Sequence, residues 1–444
     1  MTALLLDRPS VEREANRAER RKLYAIARRA DARMQMVPAS TGIGAPGTQP
    51  APANLARSPM SAQPTGQQAA AIPFTRGSAL ATMQDATLSA TVLTAGAQVQ
   101  VQLQTNAFIQ YVISDWVMTT AGNAATVVFA QDGPFSVIAK IQLDDPAGQS
   151  IITPITGYQL FLLNKYLPDS NCAFDPQRDP NYSAVTGAGG TGGSFSFRLI
   201  LPIEHRARDA FGALNNSAAN QRYLITLTTL ASYTSTTLYS TPPTSAGTLT
   251  CQFSQWYWTY PPAAITTAQG SVPVAQTPPG LGSVGFVRFE RHNEVSGGGA
   301  PMIQMNNVGD YISSLIFVLR ASAGANLRDS ADWPSPFGWW VNDFQVHQLF
   351  VNVWQRRMAR AYGYFGAIGA VGGVDTGVFV LPALADGLFD DNSGLDNFHP
   401  ANQYLATDAT TKLQVRGTTF GAGSGFLEVL TRLIRPVSGA ALFA

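Results

Sequence analysis

At 444 residues the chain is long enough for two or three domains, each able to bury its own core. Its formal net charge of +1 argues against a nucleic-acid or membrane-surface role for the chain as a whole, and two cysteines are too few for a disulfide framework. Charged residues make up only 13%, about half the usual share, and a surface this short of charge fits permanent burial against other subunits better than a freely diffusing enzyme.

Residues 1–36 depart from this neutrality. Arg13, Arg17, Arg20, Arg21, Lys22, Arg28, Arg29 and Arg33 dominate the segment, and Leu23, Ile26, Ala27, Ala30 and Met34 recur at helical spacing to form one narrow apolar stripe. A lone helix of this kind buries little by itself, so a basic amphipathic arm is expected to lie against anionic lipid or a neighbouring subunit. Leu4-Leu5-Leu6 runs straight into Asp7, too short an apolar run for a signal peptide. With no run near the ~20 apolar residues of a membrane span, and with Cys172 and Cys251 as the only thiols, assembly in a reducing cytoplasm is expected; whether the two pair is left open.

Residues 37–79 read as a linker of Pro, Ala, Gly, Ser, Thr and Gln with almost nothing to bury. The period then changes to two. Val99, Val101 and Leu103 alternate with glutamines, and Phe108–Met118, Thr126–Ala130 and Phe135–Leu143 follow as strands. Thr153-Pro154 has the look of an N-cap and first turn, opening a helix through Tyr166; a polar loop, Asp169–Gly193, precedes strands at Phe195–Leu201, Tyr223–Tyr233 and Thr248–Tyr260. A second connector covers 263–282. Beyond it strands are expected at Val284–Arg291, Met302–Asn306 and Tyr311–Leu319, a helix over Asp343–Tyr362, then strands at Val378–Leu381, Leu413–Arg416 and Phe426–Ile434.

The two halves resemble each other. Leu201-Pro202 returns as Leu381-Pro382 after 180 residues, and Ala219-Asn220-Gln221 as Ala401-Asn402-Gln403 after 182. Gln159-Leu160-Phe161 matches Gln348-Leu349-Phe350, and Gln102-Leu103-Gln104 resembles Gln304-Met305-Asn306. The apolar runs that stop at Pro261 and Pro436 close each half. Matches in one order at a slowly drifting offset predict a duplication. The expected fold is all-β: two tandem eight-stranded jelly-roll sandwiches, over 80–262 and 283–444, with an N-terminal amphipathic helix and one inserted helix per barrel.

No catalytic, cofactor-binding or metal constellation emerges. Gly42-Ile43-Gly44-Ala45-Pro46-Gly47 lacks a preceding strand, and Pro46 has no amide to offer a pyrophosphate. His205, His292, His347 and His399 are scattered, and Asp390–Asp396 lacks the closing Glu of a calcium loop. Asp144 with Asp145, or Glu204 with Asp209, has the chemistry of a glycosidase pair without anything to single it out. Trp256, Trp258, Trp333, Trp339 and Trp340 motivate the alternative of a carbohydrate-binding or glycan-hydrolysing sandwich.

The basic helix, the twin sandwiches and the Pro-rich connector resemble the double-jelly-roll major capsid proteins of tailless, membrane-containing icosahedral phages, the tectivirus-like group. Phe197-Arg198-Leu199-Ile200-Leu201-Pro202 is the suggestive segment, and the likeness covers about residues 80–437. The resemblance implies a non-enzymatic structural protein of the virion, assembled in the host cytoplasm as a pseudo-hexagonal homotrimer. Its implied partners are neighbouring capsid trimers, penton and minor capsid proteins, and an internal lipid membrane met by the basic arm, without sequence-specific nucleic-acid contacts or a cofactor. The long linker departs from the pattern and leaves the arm's path open.

Overall fold

Period-two alternation dominates the chain, and strands account for most of what the structure shows. It is a computed structural model that describes residues 82–85, 91–105, 108–166, 192–205, 212–216, 222–258, 264–267, 270–273, 283–299, 302–322, 327–328, 331–362, 375–382 and 405–436. The basic arm, the linker, most of the Asp169–Gly193 loop, the Ala-Asn-Gln triplets and Asp390–Asp396 lie outside the described residues.

The first half begins with β1 (Thr82–Asp85), β2 (Thr91–Leu93), β3 (Gln98–Gln102), β4 (Phe108–Thr119), β5 (Val128–Phe129), β6 (Ile138–Asp144) and β7 (Ser150–Ile155). Helix α1 (Gly157–Tyr166) follows, then β8 (Phe195–Pro202), β9 (Leu214–Asn215), β10 (Leu224–Thr229), β11 (Tyr239–Thr241) and β12 (Thr248–Trp258). Within the connector, β13 (Ala264–Thr267) and β14 (Gly270–Pro273) pair as a hairpin. The second half runs through β15 (Ser283–His292), β16 (Met302–Met305), β17 (Tyr311–Ala321), β18 (Phe337–Val341) and β19 (Phe344–Leu349) to helix α2 (Val351–Tyr362). It ends with β20 (Val378–Pro382), β21 (Leu405–Ala406), β22 (Leu413–Gly417) and β23 (Ser424–Pro436).

Each half builds two sheets with the same strand order. In the first, β1 and β2 pair with β12, followed by β4 and β8, while β3, β10, β6 and β7 make the facing sheet. In the second the corresponding orders are β15-β23-β17-β20 and β16-β22-β18-β19. Both are jelly rolls. Leu201-Pro202 ends β8 and Leu381-Pro382 ends β20, equivalent strands; Gln102 and Gln304 lie in β3 and β16, and the terminal apolar runs form β12 and β23. Gln159–Phe161 and Gln348–Phe350 are not equivalent, since the first sits in α1 and the second spans the end of β19.

Two expected helix starts shift. Thr153 and Pro154 belong to β7, and α1 is instead capped by Thr156: its Oγ1 accepts from the Gln159 amide at 3.2 Å, and Gln159 Oε1 accepts from the Thr156 amide at 2.9 Å. This reciprocal pair is a capping box in the spacing Thr-x-x-Gln. The helix expected from Asp343 starts at Val351, because Asn342 and Asp343 take φ of 48° and 66° and turn β18 into β19. Asn and Asp tolerate that left-handed conformation, which a two-residue hairpin needs at both central positions. The strand expected over Phe135–Leu143 opens with a 3-10 turn, Phe135–Val137, and those expected over Thr126–Ala130 and Tyr223–Tyr233 contract to β5 and β10.

Aromatic side chains fill both cores. Trp116 packs on Phe197 and Phe253 in the first, where Phe161 of α1 stacks on Phe135 at 4.3 Å. In the second, Phe379 is held between Trp333 at 4.0 Å and Trp354 at 5.0 Å. All ten residues of α1 are buried, and its entry is tight enough that a Cβ on Gly157 would sit 2.1 Å from the Phe135 carbonyl oxygen. Replacing Thr156 by Ala removes the cap and is expected to lower stability by about 1 kcal/mol, read as a shift in denaturation midpoint.

Candidate functional site

The described residues concentrate their buried charge where the two barrels meet. The seam starts at the backbone: β7 runs parallel to β15, with Ile152 opposite Val287, so that one sheet of each barrel merges into a nine-stranded sheet. The Thr153 hydroxyl donates to the Val287 carbonyl at 3.2 Å and accepts from the Phe289 amide at 2.8 Å, extending the seam past Pro154, which has no amide hydrogen. Arg288 Nη1 adds a 2.6 Å bond to the Ser150 carbonyl.

Above the seam, ion pairs join β17 and the residues beyond it to the loop before β6 of the first barrel. Asp132 is the pivot, its Oδ2 receiving Arg320 Nη1 at 2.6 Å and its Oδ1 receiving Arg328 Nε at 2.9 Å. Arg320 Nε also donates to Glu428 Oε2 at 3.0 Å. Arg328 is fully buried and donates onward to the carbonyls of Gln131 and Thr376 at 2.7 and 2.6 Å. A second anchor comes from the end of α1, where Lys165 Nζ and the Tyr166 hydroxyl each lie 2.6 Å from an oxygen of Asp375 in the other barrel. Burial by itself would push the Arg320 guanidinium down, and the Asp132 and Glu428 carboxylates more than reverse it. Burial pushes the Tyr158 phenol well up, against the opposing pull of Arg328, whose guanidinium lies 4.4 Å over its ring.

A third contact is histidine at a glycine. His205, just past β8, is buried against Gly285 of β15, where a Cβ would come within 2.5 Å of His205 Nε2. Arg432 Nη2 donates to the neighbouring Glu204 carbonyl at 3.0 Å. Burial, and then the Arg432 charge, hold the His205 imidazole well below its ordinary value.

The residues singled out in the sequence do not converge. His205 is in the seam; His292 Nδ1 lies 2.7 Å from Glu294 Oε1 at the end of β15; His347 is on β19; and His399 is outside the described residues. Asp145 accepts two turn amides and Asp144 accepts from Gln142 and Ser150, so this pair builds a hairpin; Asp209, the partner considered for Glu204, is outside the described residues. Trp256 stacks on Tyr111 at 5.7 Å on the outer face of the first barrel, Trp333 and Trp339 are core, and Trp340 lies under Arg416. These four indoles share no platform. Among the described residues no group of three or more His, Cys, Asp and Glu is placed to hold a metal ion, and no helix is long and apolar enough to cross a membrane. The arm residues Arg13 to Arg33 lie outside the described residues.

The seam residues carried a signal that spacing alone did not reveal. Lys165, Arg320, Glu428 and Arg432 are charges inside otherwise apolar stretches, a pattern that requires buried partners.

Two jelly rolls in tandem, sharing one strand order and fused through a common sheet, define the double-jelly-roll fold. The same fold is found in the crystal structure of the major capsid protein of Sulfolobus turreted icosahedral virus, with a TM-score of 0.52 at 11% identity over 81% of this chain and 97% of that one. The atomic structure of that virus matches at 0.50 and 11% over 80% of this chain and 91% of the other, and the PBCV-1 virus capsid at 0.50 and 10% over 80% and 93%. At such identities the shared property is the fold. No family model and no curated protein sequence matches the chain.

Removing Asp132 takes the shared carboxylate from two buried guanidinium groups, leaving Glu428 to Arg320 and the Gln131 and Thr376 carbonyls to Arg328. Asp132→Ala is therefore expected to cost about 3–5 kcal/mol in chemical denaturation. Because His205 is neutral when buried and binds a proton more readily when unfolded, its contribution is constant above about pH 6.5 and is lost as the pH falls below that value. His205→Gln is expected to flatten that segment of the stability–pH curve, and an unchanged slope would remove His205 from the seam's acid sensitivity.

Proposed function

We propose that this protein is a major capsid protein that self-assembles as pseudo-hexagonal trimers into an icosahedral shell around an internal membrane. The observation that carries the reading is the repetition of one strand order in two barrels locked into a single body, so that three chains supply six similar barrels. The fold shared with viral capsid proteins supports it, as does the low charge of the chain. On this reading the protein works by association, with obligate interfaces expected above ~2,000 Å² and closed symmetry within each trimer, and has no catalytic cycle.

The proposed organisation is an arm over 1–36, a linker over 37–79, barrels over 80–262 and 283–444, and a connector over 263–282. The arm's Arg13, Arg17, Arg20, Arg21, Lys22, Arg28, Arg29 and Arg33 would face anionic headgroups on the inner side of the shell. Neighbouring trimers, penton and minor capsid proteins complete the partner set, in a virion assembled in the host cytoplasm.

Light scattering on the chromatographed full-length protein, with negative-stain microscopy of the same fractions, is expected to show a trimer of hexagonal outline. A stable monomer at high concentration overturns the proposal. Binding to vesicles containing phosphatidylserine is expected to be strong at low salt and to fall at least tenfold when Arg28, Arg29 and Arg33 are replaced by Glu; equal binding by this variant would remove the arm from the membrane.

A further inference from the structure

The seam holds one pair of groups able to react with each other. The described residues include three lysines, and two of them, Lys140 and Lys412, are exposed. Lys165 ends a helix that is buried throughout, and its own side chain is 1% exposed. Its Nζ lies 2.6 Å from Oδ2 of Asp375, whose side chain is inaccessible, and 5.9 and 5.5 Å from the ring centres of Phe161 and Tyr166. The buried Arg320, Arg328 and Arg432 carry guanidinium groups, which do not lose a proton in a protein and so are not nucleophiles. A lysine amine in a dry, apolar site is one.

Both partners are held in place from their own barrels. Beside Lys165, the Asn164 side chain donates to the Ile200 carbonyl at 2.6 Å and accepts from the Ile200 amide at 2.7 Å, fastening the end of α1 to β8. Across the seam the Asp375 carbonyl accepts from the Val378 amide at 3.0 Å, and the Thr376 and Gly377 carbonyls accept from Arg328 at 2.6 Å and from the Leu319 amide at 2.8 Å. A nitrogen 2.6 Å from one oxygen of a carboxyl group stands roughly 3–3.5 Å from its carbon, the separation of a near-attack conformer. The Tyr166 hydroxyl donates to the second oxygen, Oδ1, at 2.6 Å, so a hydrogen-bond donor already sits where negative charge gathers when that carbon is attacked.

We propose that Lys165 and Asp375 condense into an intramolecular isopeptide bond that joins the two barrels covalently. One proton passes from Nζ to Oδ2, leaving a neutral amine and a neutral acid, which a site closed to water favours over two charges. The amine lone pair attacks Cγ and forms the C–N bond, while the electron pair of the Cγ–Oδ1 double bond moves onto Oδ1, where the Tyr166 hydroxyl stabilises it. A second proton passes from nitrogen to Oδ2, the Cγ–Oδ2 bond breaks with its electron pair on oxygen, and Oδ1 regains its double bond. Oδ2 departs as water with two of the three Nζ protons, and the third stays on the amide. No oxidant, reductant or second substrate enters. Fixed geometry takes the place of reactant concentration, with effective molarities on the order of 10⁵–10⁸ M for well-oriented groups, and the product exchanges two buried charges for a neutral amide. The inference goes beyond the assembly reading and stands whether or not the chain forms trimers.

Mass spectrometry of the folded full-length protein, denatured before measurement, tests the bond directly. The wild type is expected to weigh less than its sequence by one water, about 18 Da, and proteolysis is expected to release a branched peptide joining Lys165 to Asp375. In denaturing electrophoresis it is expected to migrate apart from Lys165→Arg, because an amide survives denaturant and closes a loop of 210 residues. Lys165→Arg and Asp375→Ala are expected to keep their full sequence masses; should either fail to fold, the branched peptide of the wild type decides alone. A time course on newly synthesised chains is expected to show Tyr166→Phe losing water at least about tenfold more slowly than the wild type, since it keeps the ring and lacks the donor. Equal rates overturn the role given to Tyr166. A folded wild type at its full sequence mass, or a mass deficit that maps to other residues, overturns the bond and leaves Lys165 and Asp375 as an ion pair, with the assembly reading untouched.

Discussion

The meeting of β7 with β15 is the constraint on which the rest of the structure depends. One parallel bridge, extended by the Thr153 hydroxyl, sets two barrels edge to edge. The cluster of Asp132, Arg320, Arg328 and Glu428 then admits one register. Desolvated ion pairs of this kind add little net stability over a well-packed apolar contact, because removing both charges from water offsets most of their attraction. Misplacing them is far more costly than omitting them. A sliding or rotated arrangement of the barrels would leave guanidinium groups buried without carboxylates, so the cluster fixes how the two barrels sit against each other.

The duplicated halves keep one topology and diverge in what covers it. The helix between the fifth and sixth main strands lies wholly inside the molecule in the first barrel, capped by Thr156 and pinned through Lys165 and Tyr166 to Asp375. Its counterpart buries Val351 and Trp354 and leaves Asn352, Val353 and Arg356 to solvent. The cores diverge likewise, one arranged around Trp116 and the other around Phe379 between two indoles. Packing is conserved as volume and pattern, and the identities of the side chains are free to drift.

Strand alternation made most of the fold legible in the sequence. Val99 and Val101 among glutamines, the long apolar runs of β4, β12, β17 and β23, and the recurring Leu-Pro ends of β8 and β20 were sufficient for two sandwiches with a helix in each. The hairpin of β18 and β19 was hidden because its turn, Asn342-Asp343, carries no glycine and because Phe344 to Tyr362 keeps enough apolar residues to pass for one helix. The cap of α1 was misplaced by three residues, since Thr153-Pro154 mimics a helix start that Thr156 and Gln159 in fact supply. The seam itself was illegible. Lys165 and Asp375 are 210 positions apart and Asp132 and Arg320 are 188 apart, and no local pattern links residues at that distance.

That separation has a consequence for synthesis. When the ribosome has finished α1, the carboxylate meant for Lys165 is still 210 residues from being made, roughly 10–40 s at about 5–20 residues per second. During that interval the nascent first barrel holds Lys165 and Asp132 without the Asp375 carboxylate and the Arg320 and Arg328 guanidinium groups that the second half supplies. The leading half can gather its strands as it emerges, yet it must stay hydrated along one flank until the trailing half arrives, so the polypeptide matures as a whole rather than piece by piece.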